Sequence, residues 1–300
     1  MTNLWKRILG QRFHVSRTGA APVNNGICLD TNAIEEFAEY MGRLGVPIPP
    51  GEGRNYLAGH HERFRQSITM IPPNAKDILE VGTGWPYFFT AMLMRERPGI
   101  KVTTISDGQS AAAKPYKVGD DGIAIGPAIN FLRATCNIET GTWPIESEGY
   151  DVVLFMEVLG HLAIDPLQVF LEAHRVLRPG GMMFVTTPNI ASLESVAKIL
   201  LGGSPYNFGF YFPQYGVYGR HNREFIAEEV AALGQCAGFS TKIIETRDVY
   251  PPTRDTAAAR AALKTFGTLD ESLRNQVIFY SGNKMGEQPS AFPPALYLNR

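Results

Sequence analysis

Hydrophobic positions in the first quarter of the chain recur at the three- and four-residue spacing of an α-helix. Two groups show this spacing: Ile34, Phe37, Met41 and Leu44, and then Tyr56, Leu57, Phe64 and Ile68. The second group predicts a helix over residues 55 to 69, and the sequence "IPPN" ends the pattern near residue 74. We therefore expect residues 1–74 to form an N-terminal helical cap.

From residue 75 onward, short apolar runs alternate with helical patterns. Seven runs have the length of buried strands: "DILEV", "KVTTIS", "FLRATC", "YDVVLFM", "MMFVTT", "TKIIET" and "VIFYSG". Between the second and third runs, several glycines and two prolines over residues 108 to 129 predict a short or broken helix. Alternating strands and helices are typical of a mostly parallel sheet covered on both faces. The pattern predicts an α/β domain with seven strands over residues 75–283, followed by a polar tail over residues 284–300.

Capping residues mark two helices within this domain. Asp165 followed by Pro166 is a typical N-cap and first-turn pair, and it precedes a run of apolar residues at helical spacing. Asn222 predicts the start of a second helix, in which Ile226 and Val230 face the core. These signals place one helix after the fourth strand and another before the sixth.

Residues 190–222 form a long connection before the second of these helices. The connection is rich in glycine and carries Tyr206, Phe208, Phe210, Tyr211, Phe212, Tyr215 and Tyr218. A long segment without regular structure is usually functional or disordered, and the aromatic content favours order. We interpret it as an inserted lid that covers a ligand, with a packed surface loop or a homodimer contact as the alternatives.

Composition narrows the class of partner. The chain has 300 residues, 44% of them hydrophobic, and a formal net charge of −1, without the lysine and arginine block that a nucleic-acid backbone requires. No stretch reaches the roughly 20 apolar residues that span a bilayer. Cys28, Cys136 and Cys236 are far apart, which suggests reduced thiols, and His60 and His61 are adjacent and make a poor metal pair. We expect a cytoplasmic protein that binds no membrane, nucleic acid or metal.

The turn after the first predicted strand has the character of a ligand-binding loop. In "DILEVGTGWPYFF", Gly82 and Gly84 lie between a strand and a helix, so backbone can approach a ligand closely. The third glycine of a dinucleotide-binding turn would fall at Tyr87, which disfavours a pyrophosphate ligand. A P-loop is excluded because no Gly-Lys-Ser/Thr follows.

Five segments in register resemble a known family. In order they are "ILEVGTGW", "TISD", "CNIETGTWP", "YDVVLFMEVLGHL" and "RVLRPGGMMFVTTPN". They resemble class I S-adenosylmethionine-dependent methyltransferases of the small-molecule type, over residues 76 to 190 and more weakly to about 283. The segment "SPYNFGFYFPQYGVYGRHNREF" further resembles members found with polysaccharide and glycoconjugate biosynthesis. The resemblance implies a Rossmann-like fold and S-adenosylmethionine as the cofactor.

The resemblance assigns one set of residues to the methionine and ribose parts of the cofactor. Glu80 matches the acidic residue beside the methionine ammonium, and Gly82, Thr83 and Gly84 match the turn that gives the cofactor room. Asp107 matches the ribose-binding acid, whose two carboxylate oxygens can accept both hydroxyl protons.

A second set matches the adenine and acceptor sides. Asn137 stands where the family usually has an aspartate beside the adenine amino group, with Ile138 as the apolar neighbour. Met156 and Glu157 match the segment that lies beneath the cofactor and faces the acceptor. Gly160 departs from the family, which often has a glutamate at this position.

Methyl transfer needs a base only if the acceptor loses a proton. His161, five residues past the fourth predicted strand, is the first candidate because a neutral imidazole titrates near working pH. His221, in the segment "YGRHNREF", is the second candidate, although neighbouring Arg220 and Arg223 are compatible with a role in fixing the loop. Both histidines also remain compatible with structural roles.

The sequence thus predicts a methyltransferase that acts on a small-molecule or sugar-containing acceptor, most simply by O-methylation of a hydroxyl. Amine and carbon acceptors remain alternatives. A noncatalytic methyltransferase-like binding protein is a further alternative because of the departures at Pro86, Asn137 and Gly160. A nicotinamide-dependent oxidoreductase is disfavoured by the missing third glycine.

Overall fold

A mixed β-sheet forms the centre of the computed structural model, which describes residues 31–43, 48, 51–83, 87–106, 122–125, 129–286 and 292–298. Its strands are β1 (Asp77–Val81), β2 (Lys101–Ser106), β3 (Gly122–Ile125), β4 (Ile129–Thr135), β5 (Tyr150–Met156), β6 (Leu177–Pro188), β7 (Phe239–Arg247) and β8 (Val277–Lys284). They lie in the order β3-β4-β2-β1-β5-β6-β8-β7.

Strand direction creates a crevice at one edge of the sheet. β1 pairs in parallel with β2 on one side and β5 on the other, and β4 and β6 continue the parallel run. β3 is antiparallel to β4, and β8 is antiparallel to both β6 and β7. After β1 the chain adds β2 and β4 on one side of β1, and it then adds β5 and β6 on the other side. The direction in which strands are added therefore reverses between β1 and β5. Open α/β sheets bind ligands outside the carboxyl ends of the strands at such a switch point.

Helices cover both faces of the sheet. The described part of the chain contains α1 (Thr31–Arg43), α2 (Glu52–Met70), α3 (Phe88–Glu96), α4 (Pro166–Val176), α5 (Leu193–Leu200), α6 (Ala227–Cys236) and α7 (Ala257–Thr265). The predicted cap of α4 is confirmed, because the Asp165 carboxylate accepts a hydrogen bond from Leu167 N at 3.0 Å. None of the described helices combines the length and the apolar character that a bilayer crossing requires.

Two apolar cores lie on the two sheet faces. On one face, α1, α2 and α3 pack with the sheet through residues such as Phe37, Phe64 and Phe184. On the other face, α4 and α6 pack through residues such as Phe170 and Leu233. Because both faces are covered, the central strands are apolar, and this explains the uninterrupted runs in the sequence. The N-terminal helices therefore share a core with the sheet.

The observed elements differ from the predicted ones in three places. Over the described residues the sheet has eight strands rather than the predicted seven, because Gly122–Ile125 forms a strand within the segment where a short or broken helix was expected. α6 begins at Ala227 rather than near Asn222. The connection over residues 190–222 contains a regular helix, α5, in addition to loop structure. The prediction of a Rossmann-like, mostly parallel sheet with helices on both faces is confirmed.

Candidate active site

The predicted site residues gather at the carboxyl edge of the parallel strands. Glu80, Gly82 and Thr83 lie at the end of β1, Asn137 and Ile138 follow β4, and Met156 and Glu157 end β5. Since these strands are parallel neighbours, their carboxyl ends meet at one edge. Two further predicted residues, Gly84 and Asp107, lie outside the described residues.

The turn after β1 requires glycine at its first position. Gly82 has φ +76°, a left-handed conformation that side chains rarely adopt, and its N–H donates to Ile105 O at 2.8 Å. A Cβ there would lie 2.5 Å from Val158 Cγ2. Thr83 closes the turn, because its hydroxyl reaches Glu80 O at 3.4 Å. The absence of a side chain thus lets the ends of β1 and β5 approach each other.

Glu80 is a buried carboxylate on the central strand, only 4% exposed. Its Oε2 accepts a hydrogen bond from the Thr90 hydroxyl on α3 at 2.6 Å. Burial raises the pKa of Glu80 to about 7, although hydrogen bonds from Thr90 and Thr83 and the charge of Arg63 act in the opposite direction. A carboxylate with this pKa gains from any cation placed beside it.

Glu157 has two unusual features at the end of β5. Its backbone is left-handed, with φ +63°, and its N–H donates to Thr186 O at 2.9 Å. Its Oε1 is buried and has no hydrogen-bond partner among the residues that the structure describes, and Arg63 Nη1 lies 3.9 Å away. Backbone strain and an unpaired buried oxygen together are typical of a functional position.

Arg63 on α2 lies against this carboxylate and was not identified from the sequence. Its guanidinium is 3.5 Å from Thr186 Oγ1 and 3.3 Å from His60 Nδ1, and it also hydrogen-bonds the Tyr250 side chain. Within the described ranges, its Nε has no hydrogen-bond partner. Tyr250, in the loop after β7, places its hydroxyl 3.3 Å from the same His60 atom. The helical spacing of His60 and Arg63 places them on one face of α2. The position of Tyr250 beside them could not be predicted from the sequence, because Tyr250 is far away in the chain and lies in no motif.

Burial keeps the rings around Arg63 uncharged near neutral pH. The pKa of His60 falls to about 3, first because of burial and then because of the Arg63 charge. Burial also raises the pKa values of Tyr56 and Tyr250 above those of an exposed tyrosine. The Arg63 charge therefore faces neutral rings and the two carboxylates Glu80 and Glu157.

Asn137 connects the end of β4 to the predicted lid. Its Oδ1 accepts from Glu139 N at 3.0 Å, and its Nδ2 donates to the Tyr218 hydroxyl at 2.9 Å. Neighbouring Ile138 is half-buried and packs on the core, and its carbonyl accepts from Trp143 Nε1 at 2.9 Å. The aromatic connection thus reaches the same sheet edge as the strand-end residues.

The two candidate histidines lie together under that connection. Their ring centroids are 4.7 Å apart. His161 Nδ1 lies 2.9 Å from Tyr218 O, and His221 Nδ1 lies 2.8 Å from Glu224 Oε1. Glu224 is buried and also accepts from the backbone N–H groups of Asn207 and Phe208. The Glu224 contacts thus join the middle of the connection to the residues at its C-terminal end.

The space beside Gly160 is filled by this network. A Cβ on Gly160 would lie 3.3 Å from both Arg223 O and His221 Cγ. The Asn222 and Arg223 N–H groups both donate to Gly160 O. The loop thus fills the space beside Gly160, where many members of the family carry a glutamate side chain. Among the residues that the structure describes, no group of three or more His, Cys, Asp or Glu side chains is placed to hold a metal ion.

Comparison with known proteins gives one family model and several relatives. Residues 54–242 match the model of a methyltransferase domain. The ubiquinone biosynthesis O-methyltransferase of Pseudomonas paraeruginosa (strain DSM 24068 / PA7) is 31% identical over 60% of this chain and 71% of its own length. The protein of the same name from Marinobacter nauticus (strain ATCC 700491 / DSM 11845 / VT8) is 33% identical over 54% of this chain and 63% of its own length.

Among solved structures, the S-adenosylmethionine dependent methyltransferase from Mesorhizobium loti is similar over 75% of this chain and 98% of its own, with 14% identity and a TM-score of 0.46. Because that TM-score is below 0.5, the assignment depends on the family model and the curated relatives. The family model matches more than half of the chain, including β1, β5 and the residues between them. The chain therefore belongs to the methyltransferase-domain family and is a class I S-adenosylmethionine-dependent methyltransferase.

Proposed function

We propose that this enzyme transfers the methyl group to a hydroxyl oxygen of a small-molecule acceptor at the carboxyl edge of β1 and β5. The observation that carries the proposal is the Glu157 carboxylate, whose buried Oε1 has no hydrogen-bond partner in the described part of the chain and can accept a proton. The names of the curated relatives, both O-methyltransferases, support a hydroxyl acceptor.

The charge of this edge fits the cofactor. S-Adenosylmethionine carries a positive sulfonium and an ammonium, and when bound it supplies an electrophilic methyl group. No cation in the described ranges hydrogen-bonds to the carboxylate of Glu80 or to Oε1 of Glu157, so a cationic ligand suits both. We infer that Glu80, Gly82 and Thr83 hold the methionine part. Gly84 belongs to the same prediction, and Asp107 is proposed to bind the ribose hydroxyls.

The adenine side is proposed at the end of β4. Asn137 and Ile138 offer an amide and an apolar surface there, and Met156 lies at the end of β5 beneath the same edge. The Asn137 contact with Tyr218 supports a lid that covers this side of the cofactor. Aligning the acceptor with the methyl group is the main contribution that such enclosure makes to the rate.

We infer that His161 and His221 help to hold the lid. Both ring Nδ1 atoms are already occupied by protein groups, Tyr218 O and the Glu224 carboxylate. Burial, and then the charge of His221, lowers the pKa of His161, which makes it a weaker base. A role of either histidine as the general base stays a prediction.

The experiment is methyl transfer from S-adenosylmethionine labelled in its methyl group. Catechol, methyl glucoside and benzylamine offer a phenol, a sugar hydroxyl and an amine as acceptor probes. Label in catechol or the glucoside supports hydroxyl methylation and separates a phenolic from a sugar acceptor. Label in benzylamine alone, or failure to bind S-adenosylmethionine in calorimetry, contradicts the proposal.

A further inference from the structure

We propose that Glu139, in the loop after β4, is a positioning residue that couples the proposed adenine side of the cofactor site to the lid. Its carboxylate joins the loop that carries Asn137 and Ile138 to the segment over residues 158–165, which follows β5. The inference rests on the proposed placement of the adenine at Asn137. It assigns a role to a residue that acts through its neighbours.

The first step of the argument is the set of contacts that the carboxylate makes. Glu139 is 4% exposed and binds three consecutive backbone N–H groups. Its Oε1 accepts from Ala163 N at 3.0 Å, from Ile164 N at 2.7 Å and from Asp165 N at 3.1 Å. These N–H groups directly precede α4, whose dipole also favours a negative charge there. Hydrogen bonds to a carboxylate are roughly twice as strong as neutral ones, so the two loops are firmly joined.

The second step is the orientation of the Asn137 amide. Glu139 N donates to Asn137 Oδ1 at 3.0 Å, so the oxygen and not the nitrogen of the amide faces that donor. The amide nitrogen donates to the Tyr218 hydroxyl at 2.9 Å. The oxygen keeps a second lone pair, which can accept from the adenine amino group. We therefore expect the loop to distinguish an amino group from a carbonyl at that position of a purine.

The third step is the contact between the segment after β5 and the lid. Gly160 O accepts from Asn222 N at 2.8 Å, and His161 Nδ1 lies 2.9 Å from Tyr218 O. The N–H groups that the carboxylate binds begin two residues further along the same segment. Tyr218 thus contacts both loops, through its carbonyl at His161 and through its hydroxyl at Asn137.

Because the two loops are joined, cofactor binding and lid closure should depend on each other. A cofactor that binds when both loops are in place stabilises the arrangement to which the lid also binds, and such coupling is reciprocal. Ala163 and Ile164 are exposed, so water can reach this backbone when the carboxylate is removed. We therefore expect variants of Glu139 to fold and to lose the coupling.

The test compares Glu139→Gln and Glu139→Ala with the wild type. Glutamine keeps one acceptor oxygen but turns N–H groups toward Ala163 N, whereas alanine removes both oxygens. The affinity for S-adenosylhomocysteine, measured by calorimetry, should fall about tenfold in Glu139→Ala and less in Glu139→Gln. In S-inosylhomocysteine a carbonyl replaces the adenine amino group. The preference for S-adenosylhomocysteine over this probe should decrease in the same order.

Cleavage by chymotrypsin measures the state of the lid, since Phe210 and Tyr211 are exposed. Saturating S-adenosylhomocysteine should slow cleavage of the wild type at these residues. At saturation it should protect both Glu139 variants less than the wild type. A residue that only stabilised the fold would change the unfolding free energy and would leave the purine preference and this protection as they are.

The control is Asp151→Asn. The Asp151 carboxylate also accepts from two consecutive backbone N–H groups, Lys76 N at 2.9 Å and Asp77 N at 3.0 Å, but at the amino ends of the strands. The control should lose stability and should match the wild type in affinity, purine preference and protection. Wild-type values of all three in both Glu139 variants would overturn the inference.

Asn137→Ala distinguishes this result from a failure of the proposed function. Reduced affinity for S-adenosylhomocysteine in both Asn137→Ala and Glu139→Ala supports the inference. Reduced affinity in Asn137→Ala alone overturns the role of Glu139 and leaves the adenine placement intact. An unchanged affinity in Asn137→Ala contradicts the adenine placement itself, and the inference falls with it.

Discussion

Glu80 should make cofactor binding depend on pH. Burial raises its pKa to about 7, whereas glutamate in an unfolded chain titrates near about 4.3. Between these values the folded protein holds a proton that the unfolded chain releases, so stability falls as the pH rises toward about 7. An ammonium beside Glu80 favours the charged carboxylate. We therefore expect affinity for S-adenosylhomocysteine to increase by up to about tenfold as the pH rises through about 7, measured by calorimetry.

Glu80→Gln is the matched variant for this effect, because glutamine has the same shape and does not titrate. Its affinity should be lower above neutral pH and should lose this pH dependence. Thermal unfolding of the free variant should likewise lose the decrease in stability between about pH 4.3 and about pH 7. A wild-type affinity that is flat across neutral pH would contradict the placement of the ammonium at Glu80.

Gly82 offers a second prediction for a single residue. Gly82→Ala adds a Cβ in a left-handed conformation and 2.5 Å from Val158 Cγ2. Strain and the displacement of a packed side chain should cost about 1–3 kcal/mol of unfolding free energy and weaken cofactor binding. Denaturant unfolding and calorimetry measure the two effects.

Gly180→Ala separates the two causes, since Gly180 has nearly the same φ, +75°, but open space around its Cβ position. It should lose stability through strain alone and should bind S-adenosylhomocysteine as the wild type does. Equal effects of the two substitutions on binding would show that contact with Val158 does not shape the turn.

At the scale of elements, we expect the proposed lid to depend on the buried carboxylate of Glu224. Glu224 accepts hydrogen bonds from His221, from Asn207 and from Phe208. Burial alone would raise its pKa, but these hydrogen bonds, His221 first, lower it below that of an exposed glutamate. Its stabilising contribution is therefore complete above the unfolded pKa and is lost as the pH falls through the lower folded value.

Glu224→Ala should release the lid. Because backbone N–H groups lose their acceptor, we expect a cost of about 1–3 kcal/mol. Chymotrypsin should cut faster at the exposed aromatic residues Phe210 and Tyr211. Glu228→Ala, at an exposed position in the first turn of α6, is the control and should be cut at the wild-type rate. Equal cleavage of both variants would show that Glu224 does not anchor the lid.

How far the sequence predicts the elements depends on whether a local signal exists. The sequence predicted β5 because its apolar residues face both covered sides of the sheet. It predicted α4 because Asp165 and Pro166 mark the start of that helix. β3 was missed because a four-residue run among glycines has no distinct period. Asn222 suggested a helix start, but its side chain donates to His161 O and Val217 O instead.

At the scale of the whole molecule, the sequence likewise predicts only those site residues that lie in a local motif. Glu80, Gly82 and Glu157 were predicted as site residues because each lies within a local motif at a strand end. The strain at Glu157 and its contact with Arg63 were not visible in the motif. Arg63 and Tyr250 meet only because α2 and the loop after β7 reach the same sheet edge. Residues that are far apart in sequence and lack a motif are identified only by the three-dimensional structure.

The N-terminal helices should unfold together with the sheet. Phe64 on α2 is 3% exposed and packs against Phe89 on α3, with ring centroids 5.5 Å apart, within the same core as the sheet residues. A shared core predicts one cooperative transition, observed at the same denaturant concentration by far- and near-ultraviolet circular dichroism. Phe64→Ala should lower the unfolding free energy of the whole molecule by about 3–5 kcal/mol. Phe266→Ala, at a position that is 79% exposed, should change it little. Two separate transitions, with only the earlier one moved by Phe64→Ala, would show instead that the N-terminal helices form an independent unit.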